Sequence, residues 1–266
     1  MFSDKVIVIT GGSDGIGKAL TELFLRKGAN VATCGRSQQK LDELACANKD
    51  ARLFTMIADV SNEQDCKNFI QTSIGHFGDI DVLINNAGIS MRALVKDTDL
   101  ATLKRVMDIN FWGTVFCTKY ALDSILRKKG TIVAVSSIAG YRGLPGRSGY
   151  SASKYAVNGW MEALRTELLE SGVNVMWVCP GFTSSNIRNA ALNKDAKPQG
   201  ASPMDERKMM TAEKCAGHIA RAIEKRKRTL VLTSEGKRTV FINKFFPALA
   251  DKFTRKFFFK NGELVK

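Results

Sequence analysis

Three residues in the stretch TIVAVSSIAGYRGLPGRSGYSASK, which runs from Thr131 to Lys154, have the types and spacing to handle a carbonyl. Tyr150 and Lys154 are four residues apart, so on a helix they share a face and reach one small volume. Ser137 closes the apolar run Ile132, Val133, Ala134, Val135, thirteen residues before the tyrosine. A free phenol, with a pKa of about 10, is a poor proton shuttle at neutral pH. A neighbouring ammonium favours the phenolate and lowers that value. Ser137 would then hold a substrate oxygen while Tyr150 gives or takes its proton. Tyr-x-x-x-Lys alone is a weak signal, equally readable as an exposed pair on a solvated helix. It gains meaning only if the rest of the chain supplies a hydride source and the scaffold to aim it.

That scaffold is legible. Residues 5–10, 30–34, 52–57, 82–85, 132–136, 173–179 and 230–233 read as strands, nearly all apolar throughout. Helical patterns lie between them: over 15–28, after Ser37, over 102–128 and over 150–170. Apolar strands alternating with helices predict an α/β chain, a Rossmann-type doubly wound parallel sheet with helices on both faces. Such sheets bind ligands at the C-terminal mouths of their strands, where Ser137 falls. The pattern makes residues 1–236 one domain. Residues 182–210, polar and carrying Pro198 and Pro203, interrupt the rhythm and read as a substrate lid.

Beyond them lies a basic aromatic extension, 237–266. Phe241, Phe245, Leu249 and Phe253 recur at helical spacing among Lys244, Lys252, Arg255 and Lys256, with Pro247 interrupting. Residues 224–266 hold twelve Lys/Arg against four Asp/Glu, over half of the net charge of +14. The extension either packs on the subunit or lies peripherally on an anionic membrane. Charge without a recognition fold argues against nucleic acid as a partner.

The 266 residues, 44% of them apolar and 25% charged, suit a globular chain. An apolar strand that starts by residue 6, and no apolar run of the roughly 18 residues a span needs, lead us to expect a cytoplasmic protein. Six scattered cysteines without a Cys-x-x-Cys pair suggest reduced core thiols, and two histidines argue against a metal site or a Ser-His-Asp triad.

The hydride source is indicated just after the first strand, where Thr10-Gly11-Gly12-Ser13-Asp14-Gly15-Ile16-Gly17 opens a helix. Glycines there let a pyrophosphate approach backbone N–H groups at a positive helix end. This loop resembles that of the short-chain dehydrogenase/reductase family, and further landmarks follow in order. Asp59-Val60 resembles the adenine-contacting pair, and Asn85-Asn86-Ala87-Gly88 the signature after the fourth strand. Asn110 resembles the helix-bending asparagine, and Pro180-Gly181 with Thr183 the segment that holds the nicotinamide amide.

The resemblance implies roles. Tyr150 is the general acid/base, Lys154 lowers its pKa and holds the nicotinamide ribose, Ser137 polarises the carbonyl, and Asn110 keeps a relay water in line with Lys154. It implies a homodimer or homotetramer and a small-molecule carbonyl or alcohol substrate. Gly35-Arg36 replaces the acidic residue that would grip a ribose 2′-OH, so we expect NADP(H) in preference to NAD(H). Asp14 departs from the basic or small residue common in NADP users. The stretch from Tyr141 and the Pro-Gly-Phe-Thr segment resemble the microsomal carbonyl and steroid reductase branch, the dehydrogenase/reductase member 7 type. The glycine loop also resembles 3-ketodihydrosphingosine reductases. Both imply a lipophilic ketone. The alternative class is a nicotinamide-binding sensor or scaffold without turnover.

Overall fold

A computed structural model of the chain describes residues 2–265 except 201, 203 and 206–208. Seven parallel strands form the central sheet: β1 (Val6–Thr10), β2 (Asn30–Gly35), β3 (Leu53–Ile57), β4 (Val82–Asn85), β5 (Thr131–Val135), β6 (Asn174–Cys179) and β7 (Thr229–Val231). Their order across the sheet is β3-β2-β1-β4-β5-β6-β7. Chain order therefore runs outward in both directions from the β1/β4 pair, which leaves a crevice at the strands' C-terminal ends.

The strands are apolar throughout because both faces are covered. Successive side chains alternate between two cores. Ile7, Ile9, Val31, Ile84, Val133 and Met176 face α1 (Gly15–Arg26) and α7 (Ala212–Glu224), where Leu20, Phe24, Ile219 and Ile223 meet them. Val8, Ala32, Leu83, Ile132, Ala134 and Val175 face α3 (Glu63–Phe77), α5 (Gly113–Lys128) and α6 (Ser148–Glu167), through Phe69, Ile70, Cys117, Ala121, Val157 and Met161. All six cysteines are free thiols, five of them buried. No helix among the described residues is long and apolar enough to cross a membrane.

Three features of the fold bear on the site. The helix expected over 102–128 is α4 (Leu100–Met107), a π-helical turn (Asp108–Trp112) and α5, with Asn110 inside the wide turn. The lid, 182–210, has no helix or strand of its own among the described residues. Isolated bridges pin it: Thr183 to Met210, and Leu192 to Met91 and to Pro198. Pro203 lies outside the described residues.

The third feature is the C-terminal extension, which packs on the body of the protein, one of the two placements expected. It forms α8 (Ser234–Phe245), α9 (Pro247–Phe258) and a hairpin of β8 (Phe259–Lys260) and β9 (Glu263–Leu264). Pro247 stands in the first turn of α9, where its missing N–H is harmless, so it starts a helix as well as ending one. The hairpin turns on Asn261-Gly262, both at positive φ (52° and 83°), as a two-residue turn requires. The Arg142 guanidinium fastens the extension: Nη1 donates to Asn243 Oδ1 (3.1 Å), Nη2 to Asp251 Oδ1 (2.5 Å) and Nε to Thr254 Oγ1 (3.2 Å). Asn243 in turn donates to the Tyr141 carbonyl (2.7 Å). Phe241, Phe245, Phe246 and Phe253 nevertheless remain 47–58% exposed.

Candidate active site

The glycine loop is shaped by what cannot fit there. Gly11 and Gly15 have φ of +68° and +51°, a region that side chains rarely enter. A Cβ on Gly17 would lie 2.1 Å from the Gly11 carbonyl oxygen and 2.5 Å from Asn86 Nδ2. Asn86 holds the loop from the β4 side, its amide donating to the Thr10 and Gly11 carbonyls (3.0 and 3.1 Å). Thr10 Oγ1 accepts from the N–H groups of Asn86 and Ala87 in return. The result is a bare backbone cradle at the start of α1, the shape and polarity a pyrophosphate needs.

At the end of β2, a Cβ on Gly35 would come 2.8 Å from Ser13 Oγ, so no acidic side chain fits there without a shift. Arg36 follows, with its guanidinium 4.0 Å from Asp59 Oδ2, and both are substantially exposed. Asp59 Oδ1 accepts from the backbone N–H and hydroxyl of Ser61 (3.0 and 2.7 Å). Ser37 caps α2 (Gln38–Ala47), and Lys40, in its first turn, donates to Asp14. Asp14 thus faces an ammonium, which answers the departure seen in the sequence. Lys40 escaped the sequence reading because its place depends on where α2 begins.

The catalytic trio meets at the mouth of β5. Ser137 caps a short 3-10 turn, its Oγ accepting from Ala139 N–H at 3.1 Å. Tyr150 and Lys154 lie on the first turns of α6, with Lys154 Nζ 5.7 Å from the tyrosine ring centroid. Lys154 is 4% exposed, and Nζ donates to the Val135 carbonyl at 2.9 Å. Burial pushes its ammonium down to about 8. Burial also pushes the Tyr150 phenol above its usual value, opposed by a hydrogen bond with Ser137 and by the positive charges of Arg147 and Arg188. Ser137 and the two arginines thus join Lys154, which the sequence singled out, around the phenol.

Asn110, wholly buried, acts as a clamp. Its Oδ1 accepts from Ile89 N–H (2.8 Å) and its Nδ2 donates to the Ile89 carbonyl (2.9 Å) and Ser153 Oγ (2.9 Å). It ties the exit of β4 to α6. A Cβ on Gly88, beside it, would lie 3.1 Å from Asn110 Oδ1 and 3.5 Å from Lys154 Nζ.

These groups line one cleft of about 750 Å³. Ser13, Ile16, Val60, Ala87, Gly88, Pro180, Gly181 and Thr183 all border it, with every other residue expected for cofactor or catalysis except Gly17 and Asn110. Those two stand just behind the wall, one holding the loop's shape and the other clamping the trio. The cradle, the ribose end and the nicotinamide end fit a dinucleotide laid across the strand mouths. Further lining comes from Phe182 and Ile187 of the segment expected to be a lid, and from residues that sequence reasoning did not assign to the cleft: Ser90, Arg147, and Ile242, Phe253 and Phe257 from α8 and α9.

Comparison with known proteins bears on this geometry. The family model described as short chain dehydrogenase matches residues 5–196. The chain belongs to the short-chain dehydrogenase family. It is 34% identical over 237 residues to mouse dehydrogenase/reductase SDR family member 7B, covering 86% of this chain and 73% of that protein. It is 38% identical over 187 residues to 11-beta-hydroxysteroid dehydrogenase-like 3 of Arabidopsis thaliana, covering 69% of this chain and 60% of that one. Two solved structures resemble its fold. One, a short chain dehydrogenase/reductase from Burkholderia phymatum in complex with NAD, has a TM-score of 0.83 at 23% identity, covering 93% of this chain and 95% of that one. The other is an alcohol dehydrogenase from Thermococcus sibiricus complexed with 5-hydroxy-NADP, with a TM-score of 0.74 at 25% identity, covering 86% and 95%. As a short-chain dehydrogenase the chain is an oxidoreductase of hydroxyl and carbonyl groups with a nicotinamide nucleotide as cofactor.

Proposed function

We propose that the protein interconverts a lipophilic ketone and its secondary alcohol with NADP(H). The observation that carries the cofactor choice is the end of β2, where Gly35 stands in place of an acid and Arg36 and Lys40, now facing Asp59 and Asp14, border the cleft as two cations for a 2′-phosphate. The apolar wall of α8 and α9 supports the substrate class.

When bound, the nicotinamide supplies or accepts the hydride. The chain does the rest. Ser137 Oγ holds the carbonyl oxygen, and Tyr150 Oη transfers the proton to it in reduction and takes it back in oxidation. Lys154, held by the Val135 carbonyl, keeps a cation beneath the tyrosine and reaches the ribose. The Asn110 side chain is fully engaged, which leaves its main-chain carbonyl to hold a relay water; Thr114 Oγ1 already reaches that oxygen at 3.0 Å.

Nucleotide oxidation with NADPH and with NADH, against ketones graded from small and polar to long-chain, tests the reading. Turnover of the long-chain ketones with NADPH supports it, and turnover restricted to NADH overturns the cofactor choice. Replacing Arg36 and Lys40 by Ala should raise the Kd for NADPH by about 10- to 100-fold, since charge-assisted hydrogen bonds are worth roughly 1.5–3 kcal/mol. The change for NADH should be much smaller. Equal losses for both nucleotides would place the 2′-phosphate elsewhere.

The same reading extends to where the protein works, in the cytoplasm and at a bilayer surface. Exposed Phe241, Phe245, Phe246 and Phe253 stand among exposed Lys237, Arg238, Lys244, Lys252, Arg255 and Lys256, beside the cleft mouth. Apolar tips ringed by cations match anionic lipid. Co-sedimentation with vesicles rich in phosphatidylserine should be strong at low salt and fall steeply in Phe245→Ser/Phe253→Ser. Equal affinity for neutral vesicles would remove the electrostatic part, and no binding to either would remove the idea.

A further inference from the structure

We propose that the substrate itself is anionic: an oxyanion, carboxylate or phosphate, carried near the ketone and bound by Arg147, with the apolar remainder lying along α8 and α9. This rests on the ketone–alcohol reading above and names the substrate class of that site.

Arg147 lies three residues before Tyr150 and borders the cleft. Among the described residues no carboxylate comes within 4 Å of its guanidinium; its one side-chain hydrogen bond runs from Nη1 to Ser90 Oγ (3.1 Å). Other arginines of the chain are differently placed: Arg142 meets Asp251, Arg127 meets Asp79 and Arg52 meets Asp4. Three carboxylates border the cleft, none beside Arg147. Asp14 is held by Lys40, Asp59 by Ser61 at the adenosine end, and Glu235 stands exposed at the start of α8.

The setting is also unfavourable to an unmatched cation. Burial, with the like charges of Arg188 and Arg92, pushes the guanidinium below its ordinary value, and only the Tyr150 phenol acts the other way. A half-buried guanidinium with one side-chain hydrogen bond keeps donors to offer an anion in the cleft. Its planar fork suits a carboxylate or phosphate. Arg147 stands at the start of α6, one turn before Tyr150, and borders the same cleft, so an anion on it would sit beside the reacting carbonyl. Leu144, Ile187, Ile242, Phe253, Phe257 and Phe258 border the cleft as well and give the remainder of such a substrate an apolar surface. A competing explanation, that Arg147 exists only to tune Tyr150, predicts no preference among substrates.

The test compares matched long-chain ketones with a phosphate, a carboxylate or a neutral group two or three bonds from the carbonyl, each reduced with saturating NADPH. We expect kcat/KM about 100-fold higher for at least one anionic series than for the neutral one, the scale of a buried charge-assisted contact. Arg147→Gln should bring the ratio close to one, and Arg147→Lys should restore part of it. Whichever anionic arm is preferred identifies the head group. Equal kcat/KM across the three series, or a preference that survives Arg147→Gln, overturns the proposal and leaves the oxidoreductase reading in place.

If no ketone turns over, binding to the NADP⁺-saturated protein decides, with octyl phosphate, octanoate and octanol as probes. Tighter binding of an anion, lost in Arg147→Gln, upholds the anion site while the ketone reading fails. Equal binding of the three probes overturns the anion site as well.

Discussion

Tyr150→Phe should lower kcat for ketone reduction by about 10³-fold, within the range general acid catalysis contributes, while nucleotide affinity changes little. Only the hydroxyl is removed, and the ring that packs 5.7 Å from Lys154 Nζ stays. A variant with undiminished turnover would place the proton donor elsewhere. The pH profile sharpens the assignment. Burial raises the phenol above its usual value, so the protonated form persists to higher pH than in a free tyrosine. Reductive kcat/KM, which needs that proton, should stay level through neutral pH and fall only in the strongly alkaline range. Alcohol oxidation needs the phenolate and should climb over that same range. Lys154, pushed down to about 8, offers a contrasting signature. A reductive profile that breaks near 8 would report loss of the ammonium's proton and make Lys154 the limiting group.

Gly17→Ala should weaken nucleotide binding by at least about 100-fold, on the order of 3 kcal/mol. The added methyl would land 2.1 Å from the Gly11 carbonyl oxygen and 2.5 Å from Asn86 Nδ2, inside the hydrogen bond that holds the loop closed. The nearer atom is backbone, with the Gly11 carbonyl carbon at 2.9 Å behind it, so the loop must open. Overpacking of this kind also destabilises by roughly 1–3 kcal/mol, which thermal unfolding would register. Gly159→Ala is the control. It lies on α6 with nothing within 4 Å of a new Cβ, and the helix gains from the better former. If Gly17→Ala binds nucleotide as well as Gly159→Ala does, the cradle is not where the pyrophosphate rests.

The parts of this protein that were plain in its sequence are those where one residue type satisfies a local demand. Strands buried on both faces must be apolar along their whole length, and the strands of the sheet were read on that basis. The glycine loop, Asn86 and the Ser137–Tyr150–Lys154 set could be placed because strand ends and helix starts fix where they point. Lys40, Arg147 and the phenylalanines of α8 and α9 were not assigned to the cleft for the opposite reason. Each reaches it from an element whose position depends on packing far away in the chain. Asn110 shows a middle case: its landmark was recognised, yet its clamp on Ile89 requires the π-helical turn, which no side-chain period announces. The expected influence of Lys154 on Tyr150 likewise depended on desolvation and neighbouring arginines, which spacing alone does not report.

The Arg142 fastening has a bearing on how such an enzyme comes into being. The glycine loop, Ser137, Arg147, Tyr150 and Lys154 all precede the aromatic wall of α8 and α9 in the chain. With the N-terminal part folding first, the polar side of the cleft is laid down before the apolar helices that border its substrate side. One guanidinium, reaching Asn243, Asp251 and Thr254 together, joins that wall to the loop before Tyr150, beside the Asn243–Tyr141 and Arg92–Leu264 hydrogen bonds and the stacked rings of Phe182 and Phe257. The joint lies outside the proton path, so lineages could vary their terminal segment and inherit a new diet without rebuilding the engine.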